Sequence, residues 1–306
     1  MSFFSVIITV YNKADYIKNT INSVLDQTYK DFEIIVINDG STDESEKVIK
    51  TIEDERIKLI TIENQGVSNA RNIGIKETSA NYIALLDGDD SWKTSYLQYM
   101  YDAIVSFPEI KIFTAGLAQS YKNKIVPVKY SFEQKELYAI YNYFEASKEY
   151  SLIHSSSIVF HKSVIAKTGL FDTFIVSGQD TDMWIRFGIY FDIVFINKLL
   201  VHYNFYESSL SNTTFDLSKK PKFDKYFKEE KNNFNLKVFL DKNRYAMAIL
   251  SKLQNDEKHF YYYTSHLSPN NLSTKQNLLL KSPKWLLQLL LKIKSLKGEK
   301  TYYPST

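Results

Sequence analysis

Cysteine is absent from the 306 residues. That excludes a disulfide framework and thiolate zinc sites, and it leaves catalysis to carboxylates, His, hydroxyls or a hard metal ion. A charge excess is missing too, since 38 Lys and Arg stand against 35 Asp and Glu for a net +3. Without a basic stripe to neutralise phosphates, the nucleic-acid-binding class is set aside. No run reaches the roughly 20 apolar residues that span a bilayer, because Lys292 interrupts the best candidate near Leu291. The apolar start Phe3–Tyr11 has neither a basic leader nor a small-residue cleavage site, so it reads as a strand and the chain is expected in the cytoplasm. No glycine-rich dinucleotide fingerprint or phosphate loop follows it; the chain reads Thr9-Val10-Tyr11-Asn12-Lys13 instead. Internal repeats and low-complexity linkers are also lacking.

What is present is an ordinary globular composition, 44% hydrophobic and 24% charged, long enough for one large α/β domain and a smaller appendage. Short β-branched runs at Phe3–Tyr11, Phe32–Asn38, Ile57–Glu63 and Tyr82–Leu86 alternate with helical patterns, which predicts a mainly parallel sheet flanked by helices. Asn12 with Asp15 and Ser41 with Glu44 have capping-box spacing and place the preceding residues at strand C-terminal ends. Further strand-like runs follow at Ile112–Leu117, Ser157–Phe160 and Ile193–Tyr203, with a helix opening near Asp180. The spacing predicts an α/β domain over 1–215, its first half ending near 110, and a helical C-terminal region over 216–306.

Ligands of open α/β sheets bind beyond the carboxyl ends of the strands. There the sequence offers Thr9, Tyr11 and Asn12, then Asp39, then Asp87-Gly88-Asp89-Asp90. Three carboxylates at one strand end either hold a cation, Mg²⁺ or Mn²⁺ shared with a diphosphate, or form a solvated Asp-Gly turn. Asp39 fits a bond to a base or ribose as well as it fits a turn. Arg71 sits early in a helix, where a cation is disfavoured, so it faces an anion, either a phosphate or Asp39, or it is a surface residue paired to a nearby acid.

Together these segments resemble the inverting glycosyltransferases of family 2, which have the GT-A fold. The resemblance rests on Ser5–Asn12, Ser23–Thr28, Asn38–Asp43, Ala70–Asn72 and Asp87–Asp90, and continues through Gly169-Leu170-Phe171-Asp172 into Gly178–Arg186. It implies that Thr9, Tyr11, Asp39 and Arg71 hold the nucleotide, that Asp87 contacts its ribose side, that Asp89 binds the metal and that Asp180 is the base. The implied reaction moves a sugar from a nucleotide-sugar donor, with uridine as the base, to a hydroxyl of a glycan or lipid-linked acceptor.

Gln179 stands where the family commonly has Glu, beside the acceptor. His202 is a loose positional match to a further metal ligand, the alternative being a strand residue exposed on one face. His154 either lines the site or is structural, and Trp184 is either a platform for an acceptor sugar or core. Asp180 itself could be an N-cap, and Arg186 reads as a structural ion-pair partner. A basic amphipathic stretch over 281–297, with Lys281, Lys284 and Lys292 opposite Trp285, Leu289 and Ile293, suits an anionic membrane surface or docking on the catalytic domain. The rival functions are a non-catalytic nucleotide-sugar-binding module and a metal-dependent phosphatase or nucleotidyltransferase.

Overall fold

The structure is a computed structural model that describes residues 2–121, 124–133, 135–204 and 216–296. The chain divides into two compact units, Met1–Ser209 and Leu210–Thr306. In the first unit β1 (Phe4–Val10), β2 (Phe32–Asp39), β3 (Ile57–Ile62) and β4 (Tyr82–Asp87) lie parallel in the order β3-β2-β1-β4. Helices α1 (Ile17–Leu25), α2 (Ser45–Lys50) and α3 (Val67–Glu77) connect them. Every residue of β1 is buried, which is why it reads as a continuous apolar run instead of an alternating one. Gly74 lets α3 settle on this strand, since a Cβ there would lie 2.4 Å from Cγ2 of Ile7.

The chain continues through β5 (Ser91–Trp92), α4 (Tyr96–Ser106), β6 (Ile112–Tyr121), β7 (Lys124–Pro127), β8 (Tyr138–Tyr141) and α5 (Tyr143–Ala146). It then forms β9 (Ile158–His161), α6 (Ile165–Thr168), α7 (Gln179–Tyr190) and β10 (Ile193–Asn204). The same sheet extends β4-β9-β6-β10-β5, with β7 on β6 and β8 on β10. β9 runs antiparallel to β4 and β6, whereas β6 and β10 are parallel. One hydrophobic core runs through both halves, from Ile8 and Leu86 to Phe113, Val159 and Val194.

Two local expectations are corrected. α1 and α2 carry no side-chain cap, so neither predicted capping box forms. The same short polar side chains pair across loops instead. Asn12, in the left-handed region at φ 52, accepts from the Thr42 N–H at 2.8 Å through Oδ1 and donates its own N–H to Ser41 Oγ at 3.1 Å. Ser45 Oγ accepts from the Lys13 N–H at 2.7 Å, and Asp43 Oδ2 from the Ala14 N–H at 3.0 Å. A partner on the neighbouring loop thus replaces the partner three residues along, and the β1–α1 and β2–α2 loops become one stitched rim.

The second unit has helices and turns but no strand among its described residues. Its long helix, Phe234–Gln254, buries Asp241 and Arg244 as an ion pair with Glu230 joined to it. Its last described helix is Lys284–Leu296. The side chains of Ser295 and Leu296, and residue 297, lie outside the described residues.

At the opposite end of the sheet from the stitched rim, Glu33 ties β1, β2 and the turn before β4 together. Its carboxylate accepts from Ser5 Oγ, from the Ser79 N–H at 2.9 Å and from Ser79 Oγ at 2.7 Å. Burial alone would raise its pKa, but these hydrogen bonds outweigh it and hold the group below its ordinary 4.5. Its contribution is therefore present above that value and is lost as pH falls through the lower folded one. Glu33→Gln is expected to cost about 1–2 kcal/mol at neutral pH. It should also flatten the loss of stability below about pH 5; urea titrations at several pH values read both, and an unchanged acid limb would discard the assignment.

Candidate active site

Parallel register levels the ends of three strands, pairing Thr9 with Asp87 and Val10 with Asn38. The turn after β4 then bends tightly against β1. The Gly88 N–H donates to the Thr9 carbonyl at 3.0 Å, and a Cβ on Gly88 would lie 2.8 Å from that oxygen, so only glycine fits. Thr9 is buried and Tyr11 exposed at this rim. Asp39, buried at the end of β2, accepts from the Gln65 N–H at 2.8 Å and the Gly66 N–H at 2.9 Å, one on each oxygen. Its pKa is raised by burial, with the two amides opposing. The carboxylate fixes the loop that opens α3 and does not pair with Arg71.

Arg71 has other partners. The guanidinium is buried and donates to Asp87 Oδ1 at 2.7 Å and Asp180 Oδ1 at 2.5 Å, with the Phe171 ring 5.3 Å from its centre. Burial would lower its pKa, but the two carboxylates raise it. Burial pushes Asp87 up, and Arg71 more than reverses this and holds it below the carboxylate range. The next residue completes the joint: Asn72 Nδ2 donates to the Phe171 carbonyl at 2.9 Å, and Oδ1 accepts from the Phe171 N–H at 2.9 Å. One turn of α3 thus grips the segment that leads into α7.

α7 is held from its other side as well. Arg186 donates to the buried Asp182 carboxylate and, through the same guanidinium, to the carbonyls of Thr168 and Leu170. This is the structural ion pair expected of it. Gly178, not Asp180, occupies the N-cap position, so the carboxylate of Asp180 is free of capping duty. Its Oδ2 has no hydrogen bond among the described residues. Gln179 is buried, and its Oε1 has no hydrogen-bond partner among the described residues.

The acidic cluster is divided among different partners. Asp89 Oδ2 accepts from Lys13 Nζ at 2.5 Å, yet burial keeps its pKa raised. Asp90 is buried, accepting from Ser156 Oγ at 2.5 Å and the Asn204 N–H at 2.9 Å. Burial, with Asp89 and Asp87 nearby, pushes it well above the usual range. Ser156 also accepts from the Asp87 N–H at 3.2 Å, and its carbonyl accepts from Trp92 Nε1 at 2.7 Å. His154 sits against Tyr203, with ring centres 4.5 Å apart, and Nδ1 accepts from the Ser156 N–H. Its pKa is lowered, by burial first, while Asp87 and Asp180 oppose.

One candidate is corrected. Trp184 is buried against Phe171 and Phe187, so it is core and offers no face to a sugar. His202 lies opposite Ser91 where β10 meets β5, its pKa lowered by burial and then by Lys93. The residue of β10 that reaches the cluster is Asn204, whose Nδ2 donates to the Asp89 carbonyl at 2.6 Å. Among the described residues no three His, Cys, Asp or Glu side chains form a metal cage. Sequence reasoning assigns no role to Lys13, Ser156 or Asn204. Only Lys13, next to the Tyr11-Asn12 pair, carried a usable signal, the charge itself.

The family model for glycosyl transferase family 2 matches residues 5–169. The uncharacterized glycosyltransferase RP339 of Rickettsia prowazekii is 31% identical over 224 residues, which cover 68% of this chain and 66% of that protein. The minor teichoic acid biosynthesis protein GgaA of Bacillus subtilis is 29% identical over 215 residues, 65% of this chain and 43% of GgaA. The chain therefore spans less than two thirds of the length of these relatives. Among solved structures, S. aureus TarS superposes with a TM-score of 0.67 at 16% identity, over 91% of this chain and 52% of that one. TarS 1-349 in complex with UDP gives 0.57 at 16% identity, over 87% and 90%. The likeness to TarS is one of fold, the GT-A arrangement of a sheet flanked by helices. With the model covering more than half of its length and the strand-end motifs in place, the chain belongs to glycosyl transferase family 2.

Proposed function

We propose that this glycosyltransferase moves a hexosyl or N-acetylhexosaminyl group from a UDP-sugar to a hydroxyl of a glycan or lipid-linked acceptor, with inversion. The observation that carries the reading is the Arg71 bridge, which joins Asp87 at the donor strand end to Asp180 at the start of α7. The complex of TarS 1-349 with UDP supports uridine as the base. Thr9, Tyr11 and Asp39 line the rim that takes the nucleotide.

In the reaction the acceptor oxygen bonds to the anomeric carbon while the bond to the diphosphate breaks, and the diphosphate leaves with the electron pair. Asp180 takes the acceptor proton on Oδ2, because Oδ1 is engaged by Arg71. The leaving group gains negative charge, which cationic groups at the strand ends offset. The residues fit Mn²⁺ or Mg²⁺ shared with substrate, not a protein-only cage: Asp89 offers one carboxylate, while Asp87 and Asp90 are committed to Arg71 and to Ser156 with Asn204. Such ions are usually held by one or two carboxylates plus substrate phosphates. When bound, the ion supplies charge neutralisation for the departing diphosphate.

Asp180→Asn is expected to retain UDP affinity and lose transfer by at least about two orders of magnitude. Near-normal turnover, followed by UDP release from the donor, would remove the assignment; release of inorganic phosphate in place of UDP would favour a phosphatase. For the metal, Asp89→Ala should abolish the Mn²⁺-dependent part of UDP binding in calorimetry, whereas Asp90→Asn should keep it. Equal losses in the two variants would count against Asp89 as the ligand.

A second observation favours a membrane-surface role for the C-terminal unit. On the Lys284–Leu296 helix, Leu287 is buried, but Trp285 is 65% exposed, Leu289 47% and Ile293 41%. These apolar residues recur every four positions on a helix that also carries Lys284 and Lys292, while Lys281 ends the preceding helix, Thr274–Lys281; the pattern suits anionic lipid. No helix among the described residues is long and apolar enough to cross a membrane, so the association would be peripheral. Replacing Trp285, Leu289 and Ile293 together with Ser should lower partitioning onto phosphatidylglycerol vesicles by at least about tenfold. Unchanged co-sedimentation would rule the surface out.

A further inference from the structure

The carboxylates of the acidic cluster differ in how firmly they are held. Asp87 is tied to a buried guanidinium, and Asp90 to a buried hydroxyl and a backbone amide. Asp89 is tied to the ammonium of Lys13, on a side chain that is 30% exposed. The root of that side chain is fixed, since the Lys13 N–H donates to Ser45 Oγ at 2.7 Å. Its stem passes Gly88, where Cγ lies 3.6 Å from the place a Cβ would occupy. The result is a partly exposed cation on a fixed base, at the one carboxylate proposed to take a metal.

We infer that Lys13 is the built-in counter-ion of Asp89: its ammonium holds the cation position in the ligand-free site, competes there with the divalent ion, and passes to the diphosphate when the donor enters. This rests on Asp89 being the metal ligand. Two consequences have opposite signs. A neutral residue at 13 removes the competitor and strengthens binding of the ion alone, and it removes a partner of the diphosphate and weakens binding of nucleotide alone. A purely structural lysine would shift both in the same direction.

The test measures free Mn²⁺ by electron paramagnetic resonance, and UDP by calorimetry in chelator, for the whole protein and for Lys13→Met. Mn²⁺ without nucleotide is expected to bind the variant roughly tenfold more tightly, the fold-change of one partly desolvated ion pair. UDP without metal should bind it several-fold more weakly. Lys13→Gln is read the same way should Lys13→Met fail to fold, and Lys13→Arg, which keeps the charge, should stay near the natural protein. Equal or weaker Mn²⁺ binding by the neutral variants, with Mn²⁺ still strengthening UDP binding to the natural protein, overturns the counter-ion role alone. If Mn²⁺ leaves UDP binding unchanged in the natural protein, the metal assignment falls and this inference falls with it.

Discussion

The site depends on one buried guanidinium. Arg71 comes from α3, and its two partners lie 16 and 109 positions further along the chain. Burying an unpaired guanidinium is prohibitive, and breaking a buried pair typically costs about 3–5 kcal/mol. The two carboxylates would repel each other at this range without the cation between them. Each group is therefore tolerable only in the presence of the others. The geometry that joins the end of β4 to the start of α7 is thus enforced by desolvation as well as by contact.

Holding such a bridge requires that the elements carrying it do not drift. Asn72 takes both backbone groups of Phe171, and the Phe171 ring lies against the Arg71 guanidinium. From the far side, Arg186 gathers the carbonyls of Thr168 and Leu170 and the buried Asp182. The segment Gly169–Asp172 is therefore clamped by α3 and by α7, and it positions Asp180 without containing any reacting group. Its place among the family-like motifs has a mechanical reason.

Much of this was legible in the sequence, and the parts that were not share a cause. Strands β1, β2 and β4 are largely buried runs that end in polar residues, so both the sheet and the edge at which those residues gather can be read directly. Asp87, Asp89, Asp180 and Arg71 announce themselves by charge. Asn12 and Ser41 do not, because a short polar side chain satisfies a backbone amide equally well three residues along or across a loop, and only the folded neighbourhood decides. Ser156 and Asn204 are invisible for a similar reason: neutral, common residues become important once β10 and the turn before β9 bring them to a crowded carboxylate. Trp184 erred the other way, its chemistry inviting a role that burial among Phe171 and Phe187 does not permit.

Charge at the strand ends sets the order of events that the reading requires. Asp90 is turned to Ser156 and to the Asn204 amide, which leaves Asp87, Asp89 and Asp180 facing Arg71 and Lys13. A diphosphate entering that balance is repelled unless a cation comes with it or is released to it. Arg71 is buried and bonded to both Asp87 and Asp180, so it stays in place. Under the proposed function the added positive charge would come at Asp89, by an arriving ion, by the Lys13 ammonium that the ion displaces, or by both. Under the proposed function donor binding and metal binding would then be linked through a single carboxylate, while Asp180, bonded to the buried guanidinium, would keep its geometry.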